Sequence, residues 1–240
     1  RHIEVDYPNR RTSRLAYGTL PHHVITTSER ISKGLIERLR LKPDRVQCIS
    51  TGIDLEKFDA KMAGTLHQEL GLDSEVPLVG MISVIRSWKG HDYFVEAAKI
   101  VAARFPAAHF VVAGGGNEVR LEKIRRWANE AGLKDSFHLL GHRTDVPNLL
   151  ASYSVLVLPS TGHEGIPQII LQSHAMACPV VGTTAGGIPE VVADEQSGLL
   201  VPTKNPQALA AAINRLLENK AYRNELAARG QAMVKSSHSE

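Results

Sequence analysis

The feature that most constrains the fold is a regular alternation of short hydrophobic runs with longer amphipathic stretches. The runs have strand length, are rich in β-branched residues, and fall at 24–27, 46–49, 78–84, 109–113, 137–140, 155–158, 179–183 and 199–201. From residue 78 onward they are nearly continuous hydrophobics, which is typical of parallel strands covered on both faces. Repeated strand–helix units of this kind predict an α/β fold with a doubly wound parallel sheet.

The stretches between the runs carry signals for helix ends. Ser28 and Glu29 open an amphipathic stretch, and Asn205 with Pro206 supplies the N-cap and the first residue of a late helix. Gly132 ends the helical pattern that precedes the run at 137–140. Each connection between neighbouring runs is therefore predicted to contain a helix, as parallel strands require.

The first part of the chain differs from the rest, and a polar stretch separates the two. We expect residues 1–50 to be the remnant of one domain, 51–72 a linker, 73–235 a complete α/β domain, and 236–240 a frayed tail. The chain begins at Arg1 rather than Met, in the middle of a pattern. We therefore expect a piece of a longer protein.

Composition excludes several classes of function. The chain has 28 Lys and Arg against 25 Asp and Glu, a net charge of +3 that is too mild to predict a nucleic-acid partner. The two cysteines, Cys48 and Cys178, fit no disulfide framework or zinc motif, so we expect buried thiols in a reducing compartment. No apolar run approaches the roughly 20 residues that span a bilayer. We expect a cytoplasmic protein.

Glycine-rich, polar and basic residues follow the predicted strands. Ligands of an open parallel sheet bind beyond the carboxyl ends of its strands. The residues at these positions are Arg86, Lys89, Gly115, Asn117, His142, Arg143, Glu164 and Gly165. Such a set is typical of a site for a phosphate-bearing ligand. Taken singly, the glycine run around Gly115 also fits a tight turn, and Arg86 with Lys89 fits a solvated basic turn.

The stretch from Glu164 to Gln172 is the most informative. Pro167 suits the first turn of a helix, and the amides of Gln168 and Ile169 would then point at an anion. A carboxylate beside a phosphate site repels the ligand, so Glu164 is expected to accept hydrogen bonds from sugar hydroxyls. The alternative is a favourable interaction of Glu164 with the positive end of the helix.

The ordered motifs resemble a known family. Lys89-Gly90, Gly114-Gly115-Gly116, Pro159-Ser160, Glu164-Gly165, Ala175-Met176-Ala177 and Gly186-Gly187-Ile188-Pro189-Glu190 look like the nucleotide-sugar-binding domain of retaining GT-B glycosyltransferases of family 4. Thr51-Gly52-Ile53-Asp54 resembles the linker between the two domains of that family. The likeness runs from about residue 24 to residue 230, and it is greatest to transferases of lipopolysaccharide and cell-surface polysaccharide synthesis.

The resemblance implies two Rossmann-like domains facing a cleft, of which this chain holds the donor-binding domain and a remnant of the acceptor-binding domain. It implies that Lys89 and a nearby Arg bind the diphosphate of a UDP-, GDP- or ADP-sugar, that His142 and Arg143 border the base, and that Glu164 binds the transferred sugar. It implies no metal and no cofactor. The acceptor would be a glycan or a lipid-linked sugar, reached by peripheral association with the inner face of the cytoplasmic membrane.

The sequence departs from the family pattern at two positions. The family's second glutamate, which accepts bonds from ribose hydroxyls, is replaced by Gln172. The family's arginine falls at Val84, so we expect Arg86 to reach the same phosphates. His2 matches the tail of a Thr-x-His pattern that lies near the donor sugar in some relatives, which makes it a candidate catalytic residue; an ordinary loop histidine is the alternative.

Three classes of function compete. The first is a retaining glycosyltransferase, and the second is a nucleotide-binding module that cannot transfer a sugar by itself. The third is a GT-B epimerase or phosphorylase, which would need a different set of carboxylates or a pyridoxal-binding lysine in a much longer chain. The ordered motifs favour the glycosyltransferase, and we expect catalysis to belong to the longer parent protein, with this piece inactive by itself.

Overall fold

The computed structural model describes residues 11–49 and 51–237, and its main feature is a six-stranded parallel sheet. The described strands are β1 (Val24–Thr26), β2 (Val46–Cys48), β3 (Leu78–Ile82), β4 (His109–Ala113), β5 (Phe137–Gly141), β6 (Val155–Leu158), β7 (Val180–Thr183) and β8 (Leu199–Val201). The large sheet has the order β5-β4-β3-β6-β7-β8, with every neighbouring pair parallel. This order reverses direction beside β3, which is the Rossmann arrangement. The predicted doubly wound sheet is confirmed.

The helices of the described residues are α1 (Arg11–Arg14), α2 (Glu29–Leu39), α3 (Leu66–Glu69), α4 (His91–Arg104), α5 (Glu118–Glu130), α6 (Val146–Ser152), α7 (Gln168–Ala175), α8 (Ile188–Val191), α9 (Pro206–Glu218) and α10 (Lys220–Ser237). Those from α3 onward contribute to the hydrophobic clusters on the two faces of the large sheet, whereas α2 belongs to a separate cluster. Asn205 caps α9 as predicted, because its side chain accepts a hydrogen bond from the amide of Ala208. The residues of β3, β6 and β7 alternate between two hydrophobic clusters, one on each face of the sheet.

Several predicted boundaries were wrong by one or two residues. Strand β3 ends at Ile82 rather than at residue 84, and Val84 is exposed on the loop that follows. Ser83 and Ile85 still donate backbone hydrogen bonds to the chain that follows β4, so the two loops leave the sheet side by side. Helix α10 continues to Ser237, so residues 236 and 237 of the predicted frayed tail are helical.

The stretch predicted as a linker is packed against the large sheet. Ile53, Phe58 and Leu66 are almost fully buried in the hydrophobic cluster on one face of that sheet. Hydrophobic burial therefore fixes this stretch onto the core of the large sheet, although its composition is polar. Strands β1 and β2 form a separate two-stranded parallel sheet, with α2 between them in sequence.

Among the helices of the described residues, not one is both long enough and apolar enough to span a bilayer.

Candidate active site

Two loops at the carboxyl edge of the sheet are locked together. Gly90 ends the loop after β3 with φ +74°, and a Cβ at this position would lie 2.0 Å from the carbonyl oxygen of Pro159. The amide of Thr161 donates to the carbonyl of Trp88 at 2.8 Å. The absence of a side chain at Gly90 thus lets the β3–α4 loop and the β6–α7 loop approach closely. Residues on these two loops form the candidate site.

Lys89 and Glu164 meet at the junction of these loops. The Nζ of Lys89 lies 2.6 Å from the Oε1 of Glu164, and the two side chains are 19% and 7% exposed. The hydroxyl of Ser160 donates to the same Oε1 at 2.6 Å. Ser160 is fixed in turn, because its carbonyl accepts a bond from the hydroxyl of Thr183 on β7. The carboxylate of Glu164 is held by one charge-assisted and one hydroxyl bond in a nearly buried position.

A glycine pair fixes the backbone of Glu164. Gly186 has φ +52°, and a Cβ there would lie 2.3 Å from the carbonyl oxygen of Glu164. The amide of Gly187 donates to that same carbonyl at 3.1 Å. Any larger residue at position 186 would force these two turns apart. The backbone and the side chain of Glu164 are therefore both restrained.

Arg86 lies on the outer side of the same loop. Its guanidinium stands 5.2 Å from the ring centroid of Trp88, a cation–π contact, and it is exposed. The ring of Trp88 also meets that of His163 edge-on, with centroids 5.7 Å apart. Sequence reasoning assigned no role to Trp88, yet it joins the loop of Arg86 and Lys89 to the loop of Glu164. The position of Trp88 between Arg86 and Lys89 in the sequence was the one signal that could have indicated this role.

Helix α7 begins one residue later than predicted. Pro167 is its N-cap rather than its first helical residue, and Gln168 and Ile169 are its first two residues. The first amides of a helix have no partner within the helix, and they carry the positive end of its dipole. Gln172 lies one turn further along and is half-buried. The carboxylate of Glu164 and the amides of α7 thus belong to one continuous loop-to-helix unit, in which Gly165 is buried.

The loops after β4 and β5 lie beside each other. A Cβ at Gly115 would lie 3.9 Å from the Cβ of His142, and the carbonyl of Gly115 accepts a bond from the amide of Ile85. His142 is exposed. Asn117 has a structural contact of its own, since its side chain caps α5 by accepting a hydrogen bond from the amide of Arg120.

Arg143 is paired with carboxylates at the packed linker. Its guanidinium makes two bonds to Asp145, of 2.8 and 2.7 Å, and two to Glu69 on α3, of 2.6 and 3.0 Å. The hydrogen bonds that Arg143 donates to Asp145 and Glu69 raise the pKa of Arg143, and those that Asp145 accepts from Arg143 lower the pKa of Asp145 well below its usual range. Sequence reasoning missed both carboxylate partners.

His91 is a titratable group at the base of the β3–α4 loop. It opens α4, is nearly buried, and its Nε2 lies 3.4 Å from the hydroxyl of Ser83. Burial first, and then the charge of Lys89, lower the pKa of His91 to about 4. The imidazole is therefore neutral near pH 7 and packs at the base of the β3–α4 loop.

The remaining sequence candidates are placed as follows. His2 lies outside the described residues. Cys178 is buried, but Cys48 is only half-buried, so the expectation of two buried thiols was half wrong. Within residues 11–49 and 51–237, no group of three or more His, Cys, Asp or Glu side chains is arranged to hold a metal ion.

Comparisons with known proteins agree on one family. The sequence model of the family described as glycosyl transferases group 1 matches residues 76–219, more than half of the chain. The UDP-Gal:alpha-D-GlcNAc-diphosphoundecaprenol alpha-1,3-galactosyltransferase of Escherichia coli is 31% identical over 189 residues, covering 77% of this chain and 48% of the relative. The chain spans about half the length of the curated relatives it matches.

Solved structures show the same architecture. HepE of Anabaena, crystallised with UDP and glucose, superposes with a TM-score of 0.87 at 23% identity, covering 98% of this chain and 66% of HepE. The C-terminal domain of LpcC, a glycosyl transferase group 1 family protein of Francisella tularensis, gives 0.68 at 26% identity, covering 78% and 99%. With the likeness to further glycosyltransferases, these confirm the expected GT-B fold.

Proposed function

The chain belongs to the glycosyl transferases group 1 family, and from that premise we propose that it binds the nucleotide-diphosphate sugar donor of a retaining glycosyltransferase. The proposed donor site is the junction of the β3–α4 and β6–α7 loops with the start of α7. The observation that carries the proposal is the pairing of Lys89 with Glu164 on the loop that leads into the first amides of that helix.

The chemistry of this pairing suits a sugar diphosphate. Lys89 has three ammonium protons, so it can keep its bond to Glu164 and still donate to phosphate oxygens. The amides of Gln168 and Ile169, at the positive end of α7, add donors for the same phosphates. Glu164 contributes a carboxylate that accepts bonds from hydroxyls, which a sugar offers and a bare phosphate does not. A cation and a carboxylate in contact thus match the two halves of the ligand.

These groups would also support the reaction. Departure of the nucleoside diphosphate leaves negative charge on the phosphate oxygens, and fixed donors stabilise such charge in a transition state. Lys89, Arg86 and the α7 amides are the proposed donors for that charge. Glu164, restrained at backbone and side chain, orients the sugar through its hydroxyls. The proposed outcome is transfer with retention of configuration.

The proposed acceptor is a lipid-linked sugar or a growing glycan of a cell-surface polysaccharide. The Escherichia coli relative is named for a galactosyl transfer to a diphosphoundecaprenol-linked sugar, which supports this class. We further propose that transfer takes place in the cytoplasm, at the inner face of the membrane that holds such a lipid. UDP is the preferred first probe, because the HepE structures contain UDP, glucose or UDP-glucose.

Calorimetry tests the donor site directly. UDP, GDP and ADP are titrated into the 240-residue chain at millimolar concentration, followed by UDP-glucose, and then into the Glu164→Ala variant. We expect one nucleoside diphosphate to bind, and the sugar to add affinity only when Glu164 is present. No heat with any of the three would refute the site. Equal loss of UDP and UDP-glucose binding in Glu164→Ala would refute the role of Glu164 toward the sugar.

A further inference from the structure

Glu190 caps a helix that lies far from it in the sequence. Its Oε1 accepts the hydroxyl of Ser28 at 2.6 Å and the amide of Arg30 at 3.3 Å, and its Oε2 accepts the amide of Glu29 at 2.8 Å. Ser28 in turn accepts the amide of Ile31 at 3.3 Å. The three consecutive amides that begin α2 thus have acceptors, two of them supplied by one carboxylate from another part of the fold. A carboxylate is the favoured group at this end of a helix.

This contact joins the two parts of the structure. Helix α2 belongs to the segment that carries the two-stranded sheet, whereas Glu190 lies on α8, directly after strand β7 of the large sheet. The two residues of the shortest bond, Ser28 and Glu190, are 162 positions apart in the sequence. Both oxygens of the Glu190 carboxylate are used, so the orientation of the side chain is defined.

The same residue is connected by its backbone to the candidate donor site. The amide of Glu190 donates to the carbonyl of Gly187, and the amide of Gly187 donates to the carbonyl of Glu164, each at 3.1 Å. The close approach of Gly186 to Glu164 leaves no room for this turn to slide toward the site. A continuous series of hydrogen bonds therefore leads from the first turn of α2 to the backbone of Glu164.

We propose that Glu190 is a positioning residue, which holds the N-terminal segment against the turn that supports Glu164 and so couples the two. When the donor restrains Glu164, the cap on α2 is strengthened, and when α2 is docked, Glu164 is aligned for the sugar. Such coupling is reciprocal by thermodynamic necessity. The inference rests on the proposed function only for the role of Glu164 toward the donor.

Amide hydrogen exchange tests the coupling without any ligand. In the full 240-residue chain, Glu190→Ala is expected to speed exchange at the amides of Glu29 and Arg30 about tenfold, as loss of a helix cap does. Glu190→Gln keeps one acceptor oxygen and is expected to restore part of the protection. From the other side of the contact, Ser28→Ala is expected to speed exchange at the amide of Gly187.

Matched controls separate this effect from general loosening. Glu225→Gln changes an exposed carboxylate whose partner Arg229 lies on the same helix, and Ser236→Ala changes an exposed hydroxyl near the end of α10. Neither is expected to alter exchange in α2 or at Gly187. Unchanged exchange in the core strands of every variant shows that the variants fold.

Amide exchange measured with bound ligand distinguishes coupling from a purely structural contact, which the ligand would not affect. Saturating UDP-glucose, whose sugar engages Glu164, is expected to slow exchange at Glu29 and Arg30 about fivefold in the unmodified chain and to leave it unchanged in Glu190→Ala. If Ser28→Ala leaves Gly187 unaffected, or if bound UDP-glucose leaves α2 unaffected, the coupling is wrong. If calorimetry shows that no nucleotide binds, the proposed function is wrong, and the exchange at Gly187 in Ser28→Ala still decides the coupling.

Discussion

Lys89 and Arg143 were both predicted to meet the donor, and both end in ion pairs, but the two pairs differ in what they leave available. Lys89 bonds one oxygen of Glu164 through a single ammonium group, where the β3–α4 and β6–α7 loops meet. Arg143 directs four hydrogen bonds at two carboxylates, on the packed linker and its own loop. A lysine keeps two of its three protons free of Glu164, whereas a guanidinium has five N–H groups and Arg143 uses most of them.

The two ion pairs also differ in how far their carboxylates are exposed to solvent. Glu164 is 7% exposed, while Glu69 and Asp145 are 44% and 39% exposed. A nearly buried carboxylate needs its partners, so its bonds to Lys89 and Ser160 define its position strongly. A cation on a site loop is therefore not by itself evidence of ligand binding: Lys89 keeps donors that are not used by Glu164, whereas Arg143 fastens the linker.

The affinity for UDP is expected to show the greatest difference between Lys89 and Arg143. Lys89→Ala removes a charge-assisted donor, so the affinity for UDP is expected to fall roughly ten- to hundredfold. Arg143→Ala is expected to change it by less than about threefold. Isothermal titration of both variants measures this, with Lys99→Ala, an exposed residue of α4, as the matched control. A loss of affinity in Arg143→Ala as great as that in Lys89→Ala would overturn the comparison.

The next effect concerns acid stability at the base of the Lys89 loop. The pKa of His91 is lowered to about 4 in the folded chain, by burial and then by Lys89. An unfolded histidine titrates near pH 6.5, so below that pH the unfolded state takes up a proton that the folded state does not. Stability is therefore lost as the pH falls from about 6.5 toward 4, by on the order of 2 kcal/mol between pH 7 and pH 5.

Urea unfolding at pH 7 and pH 5 measures this loss. His91→Gln is expected to flatten the dependence on pH, even where it lowers stability at both values, because the variant has no imidazole to protonate at this position. His23→Gln, which changes an exposed histidine, is the control and is expected to retain the dependence. If His91→Gln and the unmodified chain lose the same free energy of unfolding between pH 7 and pH 5, His91 does not cause the loss of stability in acid.

A smaller effect is expected on the Arg143 side, and it appears in stability rather than in binding. Arg143→Ala leaves Glu69 and Asp145 without their shared cation, and the free energy of unfolding is expected to fall by about 1 kcal/mol, since the cluster is partly exposed. Arg143 lowers the pKa of Asp145. The stabilisation is therefore complete above about pH 4, where an unfolded Asp is ionised, and it decreases as the pH falls below that value.

The control for this variant is Arg126→Ala, which removes an exposed pair with Glu130 at 3.8 Å and is expected to cost almost nothing. Urea unfolding at pH 7 compares the two variants. Equal stability of Arg143→Ala and the unmodified chain would mean that the linker is fixed by its buried hydrophobic residues alone.

Some features of the fold and the site could be predicted from the sequence, and others could not. Local patterns predicted the strands, the caps at Ser28 and Asn205, and the start of α7 to within one residue, because each depends on residues within a few positions. The motif order predicted that Lys89 and Glu164 share one edge of the sheet. The pairing of Arg143 with Glu69 and that of Glu190 with Ser28 could not be predicted, because the paired residues lie 74 and 162 positions apart. Such contacts depend on how elements pack, which no local pattern contains.

The smallest expected effect concerns Gln172, where the sequence departs from its family. If the side chain of Gln172 meets the ribose, Gln172→Glu supplies a carboxylate that accepts bonds from both hydroxyls, and the affinity for UDP is expected to stay the same or rise up to about fivefold. Titration with 2′-deoxy-UDP isolates the cause, because any gain should vanish with one hydroxyl removed. Gln207→Glu, an exposed change on α9, is the control. A loss of affinity above about tenfold would show instead that the half-buried site is built around the amide, since an added carboxylate would then lack a donor and repel the phosphates.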